Sequence, residues 1–169
     1  MRVVVLFGDE SALMERIIGL RQALAQTGGA LPEGDPLRKQ VSEFDGKVDG
    51  VRKKIVATTE GGAITGEERL REHTDQLYGA ILSYEGKPAA YQIVYIDTLK
   101  RELDDVTKEF DQLLAHDLPG LNDSLKSKGQ QPLSPPPAAT KVGAIDATHG
   151  SGGVADPSAS PPADFHISW

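Results

Sequence analysis

The stretch Asp35-Pro36-Leu37-Arg38-Lys39-Gln40-Val41-Ser42-Glu43-Phe44-Asp45-Gly46-Lys47-Val48-Asp49-Gly50-Val51-Arg52-Lys53-Lys54-Ile55 decides the fold. Leu37, Val41, Phe44, Val48, Val51 and Ile55 recur in alternating steps of four and three, with polar residues between them. That spacing lines the apolar side chains along one narrow seam of a helix, as in helices packed nearly parallel or antiparallel. Asp35 is a good N-cap, and Pro36 sits where its missing N–H costs nothing. Gly46 and Gly50 each weaken the helix by about 1 kcal/mol relative to Ala. They imply either a close helix crossing or a bend.

Outward from this helix the same period recurs. Leu13, Ile17, Leu20 and Leu24 share a face of a preceding helix, which Asp9 or Ser11 can cap and Gly28-Gly29 can stop. Thr65 and Glu68 form a capping box for a third helix, with Leu70, Thr74, Leu77, Ile81 and Tyr84 on its seam. Gly86-Lys87-Pro88 is a tight link into a fourth, so helices three and four are expected to form an antiparallel hairpin. Ile96, Leu99, Leu103, Val106, Phe110 and Leu113 carry the fourth seam, Asp117-Leu118-Pro119 breaks it, and a short last helix through Leu121 and Leu125 ends at Gly129.

Both flanks differ. Val3-Val4-Val5-Leu6-Phe7 is a β-branched run closed by Gly8-Asp9 and reads as one short strand without a partner. After Gly129, seven of the eleven prolines and four glycines fall within 130–169, a composition too poor in apolar surface to offset ordering entropy. The expected fold class is therefore all-α: an antiparallel bundle of about four helices over 9–129, an orphan strand in 1–8 and a disordered tail over 130–169. Near the tail's end, Phe165, Ile167 and Trp169 make an apolar cluster suited to docking on a partner.

Composition narrows the function classes. The net charge is -7 and there is no basic block, which disfavours nucleic acid and anionic membrane surfaces as partners. No apolar run approaches the length of a membrane-crossing helix, so no membrane insertion is expected. The chain has no cysteine, which removes disulfides, zinc thiolates and cysteine nucleophiles. Among the four histidines, His73 and His116 are preceded at the third position by Leu70 and Leu113, not by the Glu of a helical di-iron site. His149 and His166 fall in the tail, where no scaffold fixes a metal geometry. Glu67-Glu68 and Asp104-Asp105 are helical neighbours that point about 100° apart and do not form a facing acid–base pair. Gly28-Gly29, Gly61-Gly62 and Gly152-Gly153 lack the Lys-Ser/Thr of a phosphate loop. No catalytic residue, no cofactor and no metal are expected. A non-catalytic packing or interaction module is expected, with a protein partner, an adjacent domain or a second copy as its counterpart.

Gly86-Lys87-Pro88, the Leu-rich helix Leu99 to Leu114, and Asp117-Leu118-Pro119-Gly120-Leu121-Asn122 followed by Leu125, Gly129 and Pro132 carry a resemblance. From about Leu31 to Leu133 the chain resembles the helical C-terminal region of large exported bacterial proteins, the sortilin-like or BNR-repeat glycosyl hydrolases. In that family a β-propeller and a small β-domain precede the helices. The resemblance implies an accessory role, and it implies that Val3 to Phe7 closes the preceding β-domain. The propeller's Asp-box repeats do not occur here, so no glycosidase residue carries over. On this reading the chain is extracytoplasmic as part of an exported protein; read as a complete chain without a signal peptide, it is cytoplasmic. The alternative is a stand-alone adaptor that binds a partner through its helical seam or through Phe165 to Trp169.

Overall fold

The computed structural model describes residues 2–58, 68–83 and 87–138. Five helices follow one another: α1 Arg2–Ala30, α2 Pro36–Ile55, α3 Leu70–Leu82, α4 Ala90–His116 and α5 Leu118–Ser127. Among the described residues there is no strand. The all-α class is as the heptad pattern predicts.

Ion pairs show how the helices lie. Arg2 meets Asp97 and Arg16 meets Asp111, so α1 and α4 run parallel at a constant offset. Arg21 meets Asp45 and Asp49, which makes α1 and α2 antiparallel. Lys54–Glu109, Lys47–Asp117 and Lys128–Asp35 then align α2 antiparallel to α4 and, past the break at Asp117, to α5. α3 reaches α1 through Thr74–Glu10 and Phe7–Tyr78 and is also antiparallel to it. The cross-section therefore holds three strands of helix: α1, α2 continued by α3, and α4 continued by α5.

The seams are buried over most of their length, with Ile81 and Leu113 only partly covered at the ends of α3 and α4. The six α2 residues named above are at most 4% exposed, and in α4 Ile96, Leu99, Leu103, Val106 and Phe110 close the core from the other side. At roughly 1.5–3 kcal/mol for each fully buried aliphatic side chain, this seam is the main source of cohesion.

The orphan strand is not formed. Val3 to Phe7 is the start of α1, which runs unbroken for 29 residues. Val3, Leu6, Glu10, Leu13, Ile17, Leu20 and Leu24 are its buried positions, in strict steps of three and four. A lone strand would leave its backbone donors and acceptors unpaired. The helix satisfies them and places Val3 and Leu6 on the seam, which outweighs the few tenths of a kcal/mol that β-branching costs. Nor do Gly28-Gly29 stop α1. It ends at Ala30, and the turn that follows uses Gly34 at φ 84°.

The caps are mostly local. The Asp35 carboxylate accepts from Leu37 N at 2.8 Å, as expected. Thr65 lies outside the described residues, and α3 begins a turn later than the Thr65–Glu68 box implies. There Glu72 accepts from Arg69 N (2.9 Å) and from Ala57 N (3.2 Å), so one carboxylate joins the end of α2 to the start of α3. α4 begins at Ala90, two residues after Pro88, and the Gln92 side chain accepts from Ala89 N. α5 ends in a Schellman motif: Gly129 at φ 70° lets Gln130 N reach Leu125 O (2.9 Å) and Gly129 N reach Lys126 O (3.0 Å).

The segment after Gly129 corrects the expected boundary of the tail. Residues 130–138 fold back over the bundle. Asn122 holds Leu133 by both backbone groups, donating to Leu133 O at 2.9 Å and accepting from Leu133 N at 2.8 Å. Leu133 joins the core. The remainder of the expected tail, 139–169, lies outside the described residues.

Gly46 and Gly50 face solvent, and a Cβ at either would meet nothing within 4 Å. They mark no close crossing. Replacing either with Ala is expected to stabilise the fold by about 1 kcal/mol in urea titration. Asn122→Ala, which strips Leu133 of both its backbone partners, should cost about 1–3 kcal/mol in the same titration.

Candidate functional site

A buried polar cluster sits where α1 crosses α3. Glu10 occupies a seam position of α1 and is 0% exposed. Its counterpart on α3, Thr74, is also 0% exposed, and their side chains lie 2.6 Å apart from Oγ1 to Oε1. Thr74 Oγ1 is also 2.9 Å from Leu70 O. The hydroxyl carries one proton and here faces two acceptors. Both contacts are satisfied when Glu10 is protonated, so that its O–H donates to Thr74 and Thr74 donates to Leu70. Around them Arg71 spans Glu10 Oε2 (3.5 Å) and Ser11 Oγ (3.3 Å) and lies 4.8 Å from the Phe7 ring centroid. Tyr78 meets Phe7 edge to face at 5.5 Å.

Burial in this setting raises the Glu10 pKa to about 7, with desolvation outweighing the Thr74 hydrogen bond and the Arg71 charge. A general acid tuned near neutrality is a familiar catalytic device, but it must reach a substrate atom. Glu10 has no exposed surface. The cavity along α1 opens on Asp9, the adjacent residue on another face of the helix. The arrangement is suited to fixing the α1–α3 register, with a proton held between them.

A second polar node lies on α2. Arg21 grips Asp45 with two bonds (2.8 and 3.0 Å) and Asp49 with one (2.7 Å), while Arg52 Nε and Lys53 Nζ also bond Asp49. The Asp49 pKa falls to about 2, first through Arg52. This node clamps α1 to α2 at the surface edge of their seam.

The sequence candidates are scattered. Phe165, Ile167 and Trp169 lie outside the described residues, as do His149, His166, Glu67 and Gly61-Gly62. His73 stands 3.4 Å from Glu68 and packs beside Tyr95, and His116 is exposed at the end of α4. No group of potential ligands able to hold a metal ion occurs among the described residues. Asp104 and Asp105 are exposed on α4. No described helix is long and apolar enough to cross a membrane. The helical seam expected as an adaptor surface is consumed inside the bundle. The residues overlooked in the sequence are Glu10, Arg71 and Asp49. The step from Leu6 through Glu10 to Leu13 was the available signal for the first.

Comparison with protein families, curated proteins and solved structures finds no match.

The two shifted carboxyls set a pH profile. Glu10 binds its proton more tightly folded than unfolded, so its contribution is complete below pH 4.5 and declines as pH rises to about 7. Asp49 does the reverse: its contribution is present above pH 3.8 and is lost as pH falls towards 2. Thermal stability should therefore peak near pH 4–5 and drop by roughly 3 kcal/mol towards pH 7.5, at about 1.4 kcal/mol per pKa unit. Glu10→Gln, which mimics the protonated acid, should flatten the 4.5-to-7 limb while retaining the fold; a limb unchanged in that variant would contradict this assignment.

Proposed function

We propose that this chain is a non-catalytic helical packing module, the C-terminal accessory region of a larger exported glycosyl hydrolase-like protein, and that it presents one end of its bundle to an adjacent domain. The observation that carries this reading is an exposed apolar patch. Leu82 (66%), Tyr91 (71%), Val94 (62%) and Val4 (54%) are open to solvent, with Ile93 and Tyr95 beside them. The Arg2–Asp97 pair puts the start of α1 beside the start of α4, and the Phe7–Tyr78 contact brings the end of α3 to the same place. Six apolar side chains at one end of a bundle are a mark of an interaction surface. The resemblance carried by Asp117 to Asn122 and Gly129 also supports this reading. In that family the neighbouring domain precedes the helices, which is the end where the patch lies.

The chain alone should turn over no nitrophenyl glycoside, and robust hydrolysis would contradict a non-catalytic role. The docking claim is tested by reading the gene upstream in frame and expressing the longer polypeptide. Amide hydrogen exchange over Arg2–Phe7, Tyr78–Leu82 and Ala90–Thr98 should be slower there than in the 169-residue chain. Equal rates, or no coding sequence upstream, would overturn it.

A further inference from the structure

From the described end of the chain we infer that the groove between α1 and α4 is the binding site for residues 139–145 of this same polypeptide, Ala-Thr-Lys-Val-Gly-Ala-Ile, which continue the strap begun at Leu133. The strap starts from a fixed point, since Asn122 bonds both backbone groups of Leu133. From there Ser134 to Ala138 run over α1, where Ala12, Gly19 and Ala23 leave room for the three consecutive prolines. Ala138 then reaches the mouth of a further cavity of about 540 Å³, whose floor is Leu13 and Leu103 and whose walls include Arg16, Lys100 and Thr107. The groove runs on past Asp9 to a smaller cavity at Arg2, Leu6 and Ile96. The strap is thus aimed along an apolar-floored channel whose far end is bounded by the first turn of α1.

Length and chemistry agree. From Arg16 back to Arg2 the helix rises about 21 Å, at 1.5 Å per residue. An extended chain covers that in about six or seven residues, which is 139–145. Val142 and Ile145 supply apolar side chains for the floor, and Ala139, Gly143 and Ala144 are small. Lys141 is the one charged residue of the seven, and the walls carry both signs, Asp9, Asp104 and Asp111 beside Arg16, Lys100 and Lys108. A separate observation points to an arriving polar group. Arg16 lines both cavities, its Nη2 bonds Asp111 at 2.8 Å, and its Nε is buried with no hydrogen-bond partner among the described residues. A backbone carbonyl of the strap is a suitable acceptor for it.

The chain has no cysteine, so Arg101→Cys in the full-length protein accepts one nitroxide label beside the groove without lining it. In ¹⁵N spectra of that protein, amides of Lys141 to Ile145 should lose most of their intensity while those beyond Ser158 keep theirs. Val142→Asp with Ile145→Asp should abolish the loss. Equal attenuation along the whole of 139–169 would overturn the inference. So would attenuation that arises only when labelled protein is mixed with unlabelled ¹⁵N chain, since a second copy would then fill the groove. Loss of the helical circular dichroism in the Asp variant is controlled by the Arg101→Cys protein alone, in which the strap is intact.

Discussion

The contact between Glu10 and Thr74 sets the terms for the rest of the fold. Both residues occupy seam positions, where every neighbour along α1 and α3 is apolar. An apolar seam alone tolerates sliding by one heptad, because each Leu finds another Leu to meet. A buried polar pair does not, since displacement leaves a carboxyl and a hydroxyl without partners, at about 1–3 kcal/mol for each group. Polar residues at single seam positions are the best-attested means of fixing register. Here the pair fixes α3 on α1. Glu72 ties the start of α3 to the end of α2, and α2 is clamped to α1 by Arg21 on Asp45 and Asp49. The register of the second helical strand thus follows from three polar attachments placed along one apolar seam.

Much of this was legible in the sequence where the period was clean. Leu37 to Ile55 and Ile96 to Phe110 are read correctly because their apolar steps are uninterrupted. Asp35, Gly129 and Asp117-Leu118-Pro119 are terminal signals with a single physical meaning, and each ends or starts a helix as it should. The failures have a common source. Val3 to Phe7 satisfies the local preference for a strand, and Glu10 breaks the visible apolar period at the point where the helix should have been recognised. Local propensity is worth tenths of a kcal/mol per residue, whereas the seam is worth kilocalories per residue, so tertiary packing prevails. The 130–138 segment is misjudged for the opposite reason. Its composition is that of an unstructured chain, and its order depends on Asn122, a residue on another helix that no local window weighs.

The candidate site was legible only in part. Of the residues weighed in the sequence, His73 stands beside Glu68, while His116, Asp104 and Asp105 are exposed. The Arg71–Glu10–Thr74 cluster could not be read, because it joins residues more than sixty positions apart. The apolar end patch was equally hidden: Tyr91 and Val94 are ordinary helical residues until the packing of α1, α3 and α4 leaves them uncovered. The same packing gives the Asn of Asp117 to Asn122 a structural task, holding Leu133 against the core.

The most direct test of this account is a carbon-13 titration of the Glu10 side-chain carboxyl in the intact protein. A buried seam acid sharing its proton with Thr74 should titrate near pH 7. A midpoint at the ordinary 4.5 would contradict a buried Glu10 that holds its proton against Thr74, and with it the polar lock between α1 and α3.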